Sequence, residues 1–323
     1  MRVPGDPLWV VTSYFNPAGS SRRRDNFRVF RRHLDAPLLV VELARAGQHQ
    51  LDRSDGDEVI ALTGDDRIWQ KERLINLGVS QLPAHVRYVA WVDCDIVLEC
   101  ADWPRLAVAH LERTGGLLQL FDRAIHVPKD ATGWPSSRTS LAGFTPLLTE
   151  ESIGAAARTG RAASAFRKCL DPDSRRANGD VCSTGMAWAA RRSILERCGL
   201  YDRAIVGSGD VLIVAAALAQ DSDALLGRVL NRHQYGHFLE WAGRARHAEL
   251  FRGVDALHGA AFHLWHGDLR DRRYGRRHGI TAEFDFDPIA DLEAAEGGTW
   301  RWAAPGSGLA GAVADYFVSR REE

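Results

Sequence analysis

Lysine is scarce in this sequence: of 41 basic residues only Lys71, Lys129 and Lys168 are not arginine, and no function follows from that bias. No charge of one sign dominates either. The formal net charge is −1, which argues against a general nucleic-acid binder, since such proteins are usually strongly basic. The five cysteines form no C-x-x-C pair. Their odd count and scattered spacing fit reduced thiols in a reducing compartment better than a disulfide framework. Long apolar runs are missing too, the nearest being Val211 to Ala219, well short of a membrane span. The first residues show no charged region leading into an apolar signal core. A cytoplasmic protein without an integral membrane segment is the expectation.

What is present is a globular composition, with 45% hydrophobic residues over a length of 323, enough for one large domain. Leu8 to Val11 reads as a buried strand running into the turn-rich Thr12-Ser13-Tyr14-Phe15-Asn16-Pro17. Leu38 to Val41, with Glu42 at its end, and Glu58 to Leu62 make two more. Ile68 to Leu77 reads as a helix, with Asp65 or Asp66 near its start and Gly78 past its end. Tyr88 to Val92 and Leu117 to Phe121 flank a helix at Leu106 to Leu111. One alanine-rich helix is expected around Ile153 to Phe166, and a strand over Gly185 to Ala190. Ser193 and Glu196 fit a capping box for a helix ending at Gly199. Val211 to Ala219, Arg232 to Leu250 and Ala310 to Arg320 are further helices. Strands alternating with helices predict an α/β fold on a mostly parallel sheet.

The chemistry concentrates at Val92-Asp93-Cys94-Asp95. In an extended strand Asp93 and Asp95 share a face and Cys94 points the other way. Paired carboxylates suit a hard divalent cation, although two solvated aspartates at a strand end is the plain alternative. Lys71, Arg73 and Asn76 on the preceding helix face either a ligand or water. Gly207-Ser208-Gly209-Asp210 puts an acid at the positive end of a buried helix, as a site residue or a simple N-cap. In strand parity His263 and Trp265 share one face, and Phe262, Leu264 and His266 the other. Two histidines this close suggest a metal or phosphate site. Arg270, Arg272, Arg273, Arg276 and Arg277, with Tyr274 among them, suit either a diphosphate or open solvent. Arg22-Arg23-Arg24 reads as a solvated helix start sooner than as a phosphate-binding group, and Trp134 as a packing or ring-stacking residue.

Together these segments resemble a GT-A-fold glycosyltransferase, nearest the β-1,4-galactosyltransferase type and its bacterial relatives, from about Leu8 to His278. Trp69 to Gly78 resembles that family's basic K/R-L-L-N-x-G helix, and Asp93-Cys94-Asp95 its D-x-D strand end. Gly185 to Asp210 resembles its strand, helix and glycine-rich turn before an acid, and His266-Gly267-Asp268 its late metal segment. The turn departs from the pattern, having neither the usual aromatic nor a second acid.

The resemblance implies a GT-A, Rossmann-like parallel sheet flanked by helices, with a loop- and helix-rich acceptor side. It implies one catalytic domain over residues 1–280, whose nucleotide-binding half is about 1–121 and acceptor half about 122–280. Residues 281–323 would be an extension packed on it. The implied cofactor is Mn²⁺ or Mg²⁺, held by Asp95 and His266, with Asp93 meeting the metal or a ribose. Asp210 would be the general base of an inverting transfer. Thr12, Tyr14 and Glu42 fall where the nucleoside is held, and Arg73 near the donor. The implied partners are a nucleotide-sugar, UDP-linked first of all, and a glycan or other hydroxyl acceptor. A nucleotidyltransferase and a nucleotide-sugar-binding protein without turnover are the alternatives.

Overall fold

The structure, a computed structural model, describes residues 5–131, 144–171, 182–248, 252–268, 271 and 276–320. Its first half lays down strands β1 (Leu8–Phe15), β2 (Leu38–Ala44), β3 (Glu58–Thr63) and β4 (Tyr88–Val92), with helices α1 (Ser21–Arg32) and α2 (Lys71–Gln81) between them. All four strands run parallel, and β2 is buried along its whole length. That is the position expected of unbroken Leu-Leu-Val-Val in a sheet covered on both faces. After β5 (Ile96–Leu98) and α3 (Trp103–Thr114) come β6 (Leu117–Gln119), β7 (Arg123–His126) and β8 (Leu148–Glu151). Helices α4 (Ile153–Arg158) and α5 (Ala162–Leu170) lead to β9 (Ala187–Arg191). Next are α6 (Arg192–Cys198), α7 (Gly209–Ala217), α8 (Asp223–Leu226) and α9 (Arg232–His247), then β10 (Val254–Ala256) and β11 (Ala260–His263). The chain closes with α10 (His278–Glu283), β12 (Leu292–Ala294), β13 (Trp300–Trp302) and α11 (Gly308–Ser319).

Seven strands form the central sheet in the order β10-β6-β9-β4-β1-β2-β3, with only β9 antiparallel to the rest. One face packs on α1 and α3 through Phe27, Phe30, Trp103 and Leu111. The other packs on α2, α6, α7 and α9 through Leu74, Ile75, Leu195, Leu212 and Phe238. The fold is therefore α/β, a mostly parallel sheet flanked by helices, as the alternation predicts. A second sheet, β5-β11-β7-β8, stands off the carboxyl end of β4. The pair β12-β13 packs with α11 against Ile68, Ile205 and Val206.

Four local expectations are corrected. Helix α2 begins at Lys71, because Trp69 donates its backbone N–H to Ile205 3.0 Å away. Gly78 lies inside that helix, not past its end. The alanine-rich stretch divides into α4 and α5, turning at Thr159-Gly160. The capping box at Ser193 does not form: α6 starts one residue earlier, and Glu196 instead accepts from Arg192 at 2.8 Å. A capping box does start α9, from Asn231 and Gln234.

Candidate functional site

Strand β4 ends at Val92, so Asp93 and Asp95 leave it in a turn, where Ile96 donates its N–H to the Asp93 carbonyl at 3.1 Å. The parity of an extended strand does not hold there, and the two carboxylates take different partners. Asp93 Oδ1 lies 2.7 Å from Lys71 Nζ. Asp95 turns toward the second sheet, where its Oδ2 is 2.9 Å from His266 Nε2 and its Oδ1 3.9 Å from His263 Nε2.

Strand parity fails for the histidines as well, and for the same reason. Strand β11 stops at His263, and the following turn brings His266 back, with 3.2 Å between the two Nε2 atoms. Asp95, His263 and His266 offer ligand atoms within 4.8 Å of one another. All three side chains are buried, and Asp95 Oδ1 has no hydrogen-bond partner among the described residues. An orphaned carboxylate oxygen facing two imidazoles fits a divalent cation, because each group brings a lone pair and burial leaves few waters to compete. Burial by itself would push the Asp95 carboxyl up. His266 and His263, with Arg23 behind them, hold it well below the usual carboxylate range. Asp93 is not in this group of three.

Lys71 is the centre of a second cluster. It reaches Asp93 and Asp210 at 2.7 Å each, with its own side chain 9% exposed. Burial opposes its charge, but Asp210, Asp93 and Glu72 raise its pKa well above the ordinary lysine value. Burial raises Asp93 to about 6, with Lys71 pulling the other way. Glu72 is buried behind them and raised by desolvation to about 8, and its Oε1 lacks a hydrogen-bond partner among the described residues. Gly209 makes that packing possible: a Cβ there would lie 2.2 Å from Glu72 Oε1. Asp210 sits in the first turn of α7 without capping it. The N-cap is Ser208, whose φ of +83° is uncommon for a residue with a side chain. Its hydroxyl is fixed by Arg277 at 2.5 Å and His278 at 3.0 Å. Thus Arg277, from the basic run, is buried against this turn, while Arg270, Arg272, Arg273 and Tyr274 lie outside the described residues, as does Trp134.

The other predicted residues are bound into the protein. The Thr12 hydroxyl donates to the Val92 carbonyl at 2.6 Å, tying β1 to the end of β4. Tyr14 donates to Gln50 at 2.6 Å, and burial pushes its phenol up to about 12. Glu42 accepts the backbone N–H of Gln50 at 2.6 Å and faces His49 at 3.2 Å. Arg73 donates to the Gly298 carbonyl at 2.6 Å and to Asp202 at 3.2 Å, with its guanidinium 4.2 Å from the Trp300 ring. Asn76 holds both the N–H and the carbonyl of Leu200, at 2.8 and 2.9 Å. Of the basic residues on α2, Lys71 is the one brought to the carboxylates. Sequence reasoning left Lys71 open and missed Glu72 and His126. An acid beside the lysine was the available signal for Glu72. A lone strand histidine gave none for His126.

Positive charge also borders the three-residue group. Arg22 lies 5.6 Å and Lys129 Nζ 4.6 Å from the Trp265 ring centre, and Arg23 donates to the Phe15 carbonyl at 3.1 Å. Cys94 packs against the core between the two aspartates, and burial raises its thiol pKa. Among the described residues no helix is long and apolar enough to cross a membrane.

No family model matches the sequence, and no curated protein does. Several solved structures are similar at a distance. The mannosyltransferase PcManGT from Pyrobaculum calidifontis, in complex with GDP-Man and Mn²⁺, is 12% identical over 97% of this chain and 70% of its own, with TM-score 0.40. S. aureus TarS 1-349 in complex with UDP-GlcNAc is 12% identical over 64% of this chain, which spans 52% of that one, with TM-score 0.35. Glucosyl-3-phosphoglycerate synthase from Mycobacterium tuberculosis, with Mn²⁺, UDP and phosphoglyceric acid, is 13% identical over 77% and 78% of the two chains, with TM-score 0.33. Likenesses this distant bear on neither activity nor substrate.

Proposed function

We propose that this chain is a metal-dependent glycosyltransferase of the GT-A type, moving a sugar from a nucleoside-diphosphate sugar to a hydroxyl acceptor with inversion. The carrying observation is the convergence of Asp95, His263 and His266 beside the Lys71-linked pair Asp93 and Asp210, just past the end of a parallel strand. That edge of an α/β sheet is where ligands bind. The donor is a UDP-sugar first of all, the acceptor a glycan or similar alcohol, and the subtype that of β-1,4-galactosyltransferase.

Asp95, His263 and His266 would hold the cation. Two imidazoles with one carboxylate favour Mn²⁺ over Mg²⁺, which prefers an all-oxygen shell. When bound, the cation supplies charge to the donor's two phosphates and to the departing nucleoside diphosphate. Asp93, already paired with Lys71, takes the ribose, while Tyr14 and Glu42 shape the nucleoside wall through Gln50 and Thr12 through its tie to the end of β4. Arg22, Arg23 and Lys129 add positive charge on the phosphate side. Asp210 receives the acceptor proton: Lys71 supplies its counter-charge, and its Oδ1 has no hydrogen-bond partner among the described residues. Such a base working opposite the leaving group requires in-line displacement. Arg73 supports the site from behind by anchoring Trp300. On this reading residues 1–280 are one catalytic domain, and 281–323 an extension packed on it.

The test is consumption of UDP-sugars with Mn²⁺ across an acceptor panel. Nucleoside diphosphate should be released, a chelator should stop the reaction, and Asp95→Asn should lower the rate at least ~100-fold. Full activity in chelator would sink the proposal. Pyrophosphate release from a nucleoside triphosphate would indicate nucleotidyl transfer instead. Tight nucleoside-diphosphate binding without donor consumption would indicate a binding protein.

A further inference from the structure

The second sheet holds more of this centre than its three candidate ligands. Its strands run β5-β11-β7-β8, and each contributes or adjoins one polar group. Asp95 immediately precedes β5, His263 ends β11, His126 ends β7 and Glu150 lies on β8. The register pairs His263 directly with His126 across the parallel β11–β7 ladder. On the β7–β8 ladder Glu150 stands opposite Ala124, two residues from His126 and on the same face. The side chains meet in a row. Glu150 Oε2 is 3.0 Å from His126 Nε2, and His126 Nδ1 is 3.0 Å from His263 Nδ1. His263 Nε2 is 3.2 Å from His266 Nε2, which reaches Asp95 at 2.9 Å. The His126 and His263 rings stand at 88° and so do not stack in parallel, and their Nδ1 atoms are left to meet.

We infer that Glu150 and His126 are positioning residues that fix the tautomer of His263 and thereby make its Nε2 a metal ligand. Counting protons along the row gives the reason. An ionised carboxylate only accepts, so the Glu150 contact puts hydrogen on His126 Nε2. A neutral His126 then has its lone pair on Nδ1. The 3.0 Å contact between two Nδ1 atoms needs one donor, and that donor is His263. With hydrogen on Nδ1, His263 turns an unprotonated Nε2 toward Asp95 and His266, the form in which an imidazole binds a metal. This deepens the proposed function by naming the two residues that position its ligand His263, and it rests on that reading only for the presence of a cation.

The experiment is Mn²⁺ affinity of the metal-free chain, read from the paramagnetic resonance signal of free Mn²⁺. The unfolding midpoint of each metal-free variant is measured alongside. His126→Phe keeps a ring but removes the acceptor, and should weaken Mn²⁺ binding about 10- to 100-fold, the usual effect of losing such a partner. His126→Asn, whose Oδ1 stands near the place of Nδ1 and still accepts, should recover most of that loss, which a purely space-filling role would not allow. If His126→Phe does not fold, Glu150→Ala replaces it, with a loss of about fivefold or more expected. Unchanged Mn²⁺ affinity in the folded variant, or no Mn²⁺ binding by the wild type, overturns the inference. Normal Mn²⁺ binding with its loss in His126→Phe, but no sugar transfer, would count against the proposed function and leave this inference standing.

Discussion

Lys71 shows how little of a residue's role lies in its own letter. Read on the helix, it faces either a ligand or water. Folded, it is, among the described residues, the cation in contact with Asp93 and Asp210 at 2.7 Å, 9% exposed and beside Glu72. Removing one member of a buried charge network leaves the others uncompensated. Lys71→Met should therefore destabilise the fold by about 3 kcal/mol at neutral pH. The loss should be smaller at pH 5, where the raised carboxyl of Asp93, at about 6, regains its proton, while Glu72, at about 8, is already mostly protonated at neutral pH. Urea unfolding at the two pH values measures this, and equal stability of variant and wild type at neutral pH would contradict the network. The same residue scale separates Asp93 from Asp95. One residue apart in sequence, they leave β4 in a turn that sends one to a lysine and the other to two histidines.

At the scale of elements, helix α2 has to lie very close to the sheet to carry Lys71 over the end of β4. Gly78 sets that distance. A Cβ there would meet Val11 at 2.6 Å, Leu39 at 2.9 Å and Val41 at 3.0 Å, three β-branched or branched side chains of a packed core that cannot all yield. Gly78→Ala should then lower stability by about 1–3 kcal/mol through overpacking, although alanine is the better helix former. A denaturant midpoint equal to wild type would show that the helix floats free of the sheet. In the sequence this glycine resembles a helix stop, because punctuation and close approach use the same residue. The start of α2 was obscured for a related reason. Gln70 exchanges two hydrogen bonds with the Trp300 backbone, at 2.6 and 3.0 Å, across 230 residues of chain, and no local signal reports such a contact.

For the whole molecule, the buried Glu72 makes global stability depend on pH. Its carboxyl titrates at about 8 in the folded chain against a model-peptide value of 4.5. Folding thus favours the protonated form, which contributes fully below about pH 4.5 and fades as pH rises through 8. Glu72→Gln keeps the shape and removes the titration. It should match wild type near pH 4.5 and exceed it above pH 8 by on the order of 2 kcal/mol. Unfolding curves across that range decide it, and a gap that does not grow with pH would place the dependence elsewhere. The β12–β13 pair and α11 bear on the same region, since Trp300 lies between the guanidinium groups of Arg73 and Arg203 at 4.2 and 4.1 Å.

The sequence by itself determined the fold class. Apolar runs such as Leu38 to Val41, alternating with amphipathic helices, leave few options besides a covered parallel sheet, because periodicity is a local property that burial enforces residue by residue. It also singled out Asp93, Asp95, Asp210 and His266, which the fold brings into two neighbouring clusters past the end of β4. Which of these meet was decided only by tertiary structure. His126 and His263 are 137 residues apart and adjacent through the β7–β11 register, Lys71 reaches Asp210 across 139, and Asp95 pairs with imidazoles instead of its neighbour Asp93. Strand parity breaks where strands end, at Val92 and His263. Beyond those points side-chain direction is set by long-range contacts that no local pattern encodes.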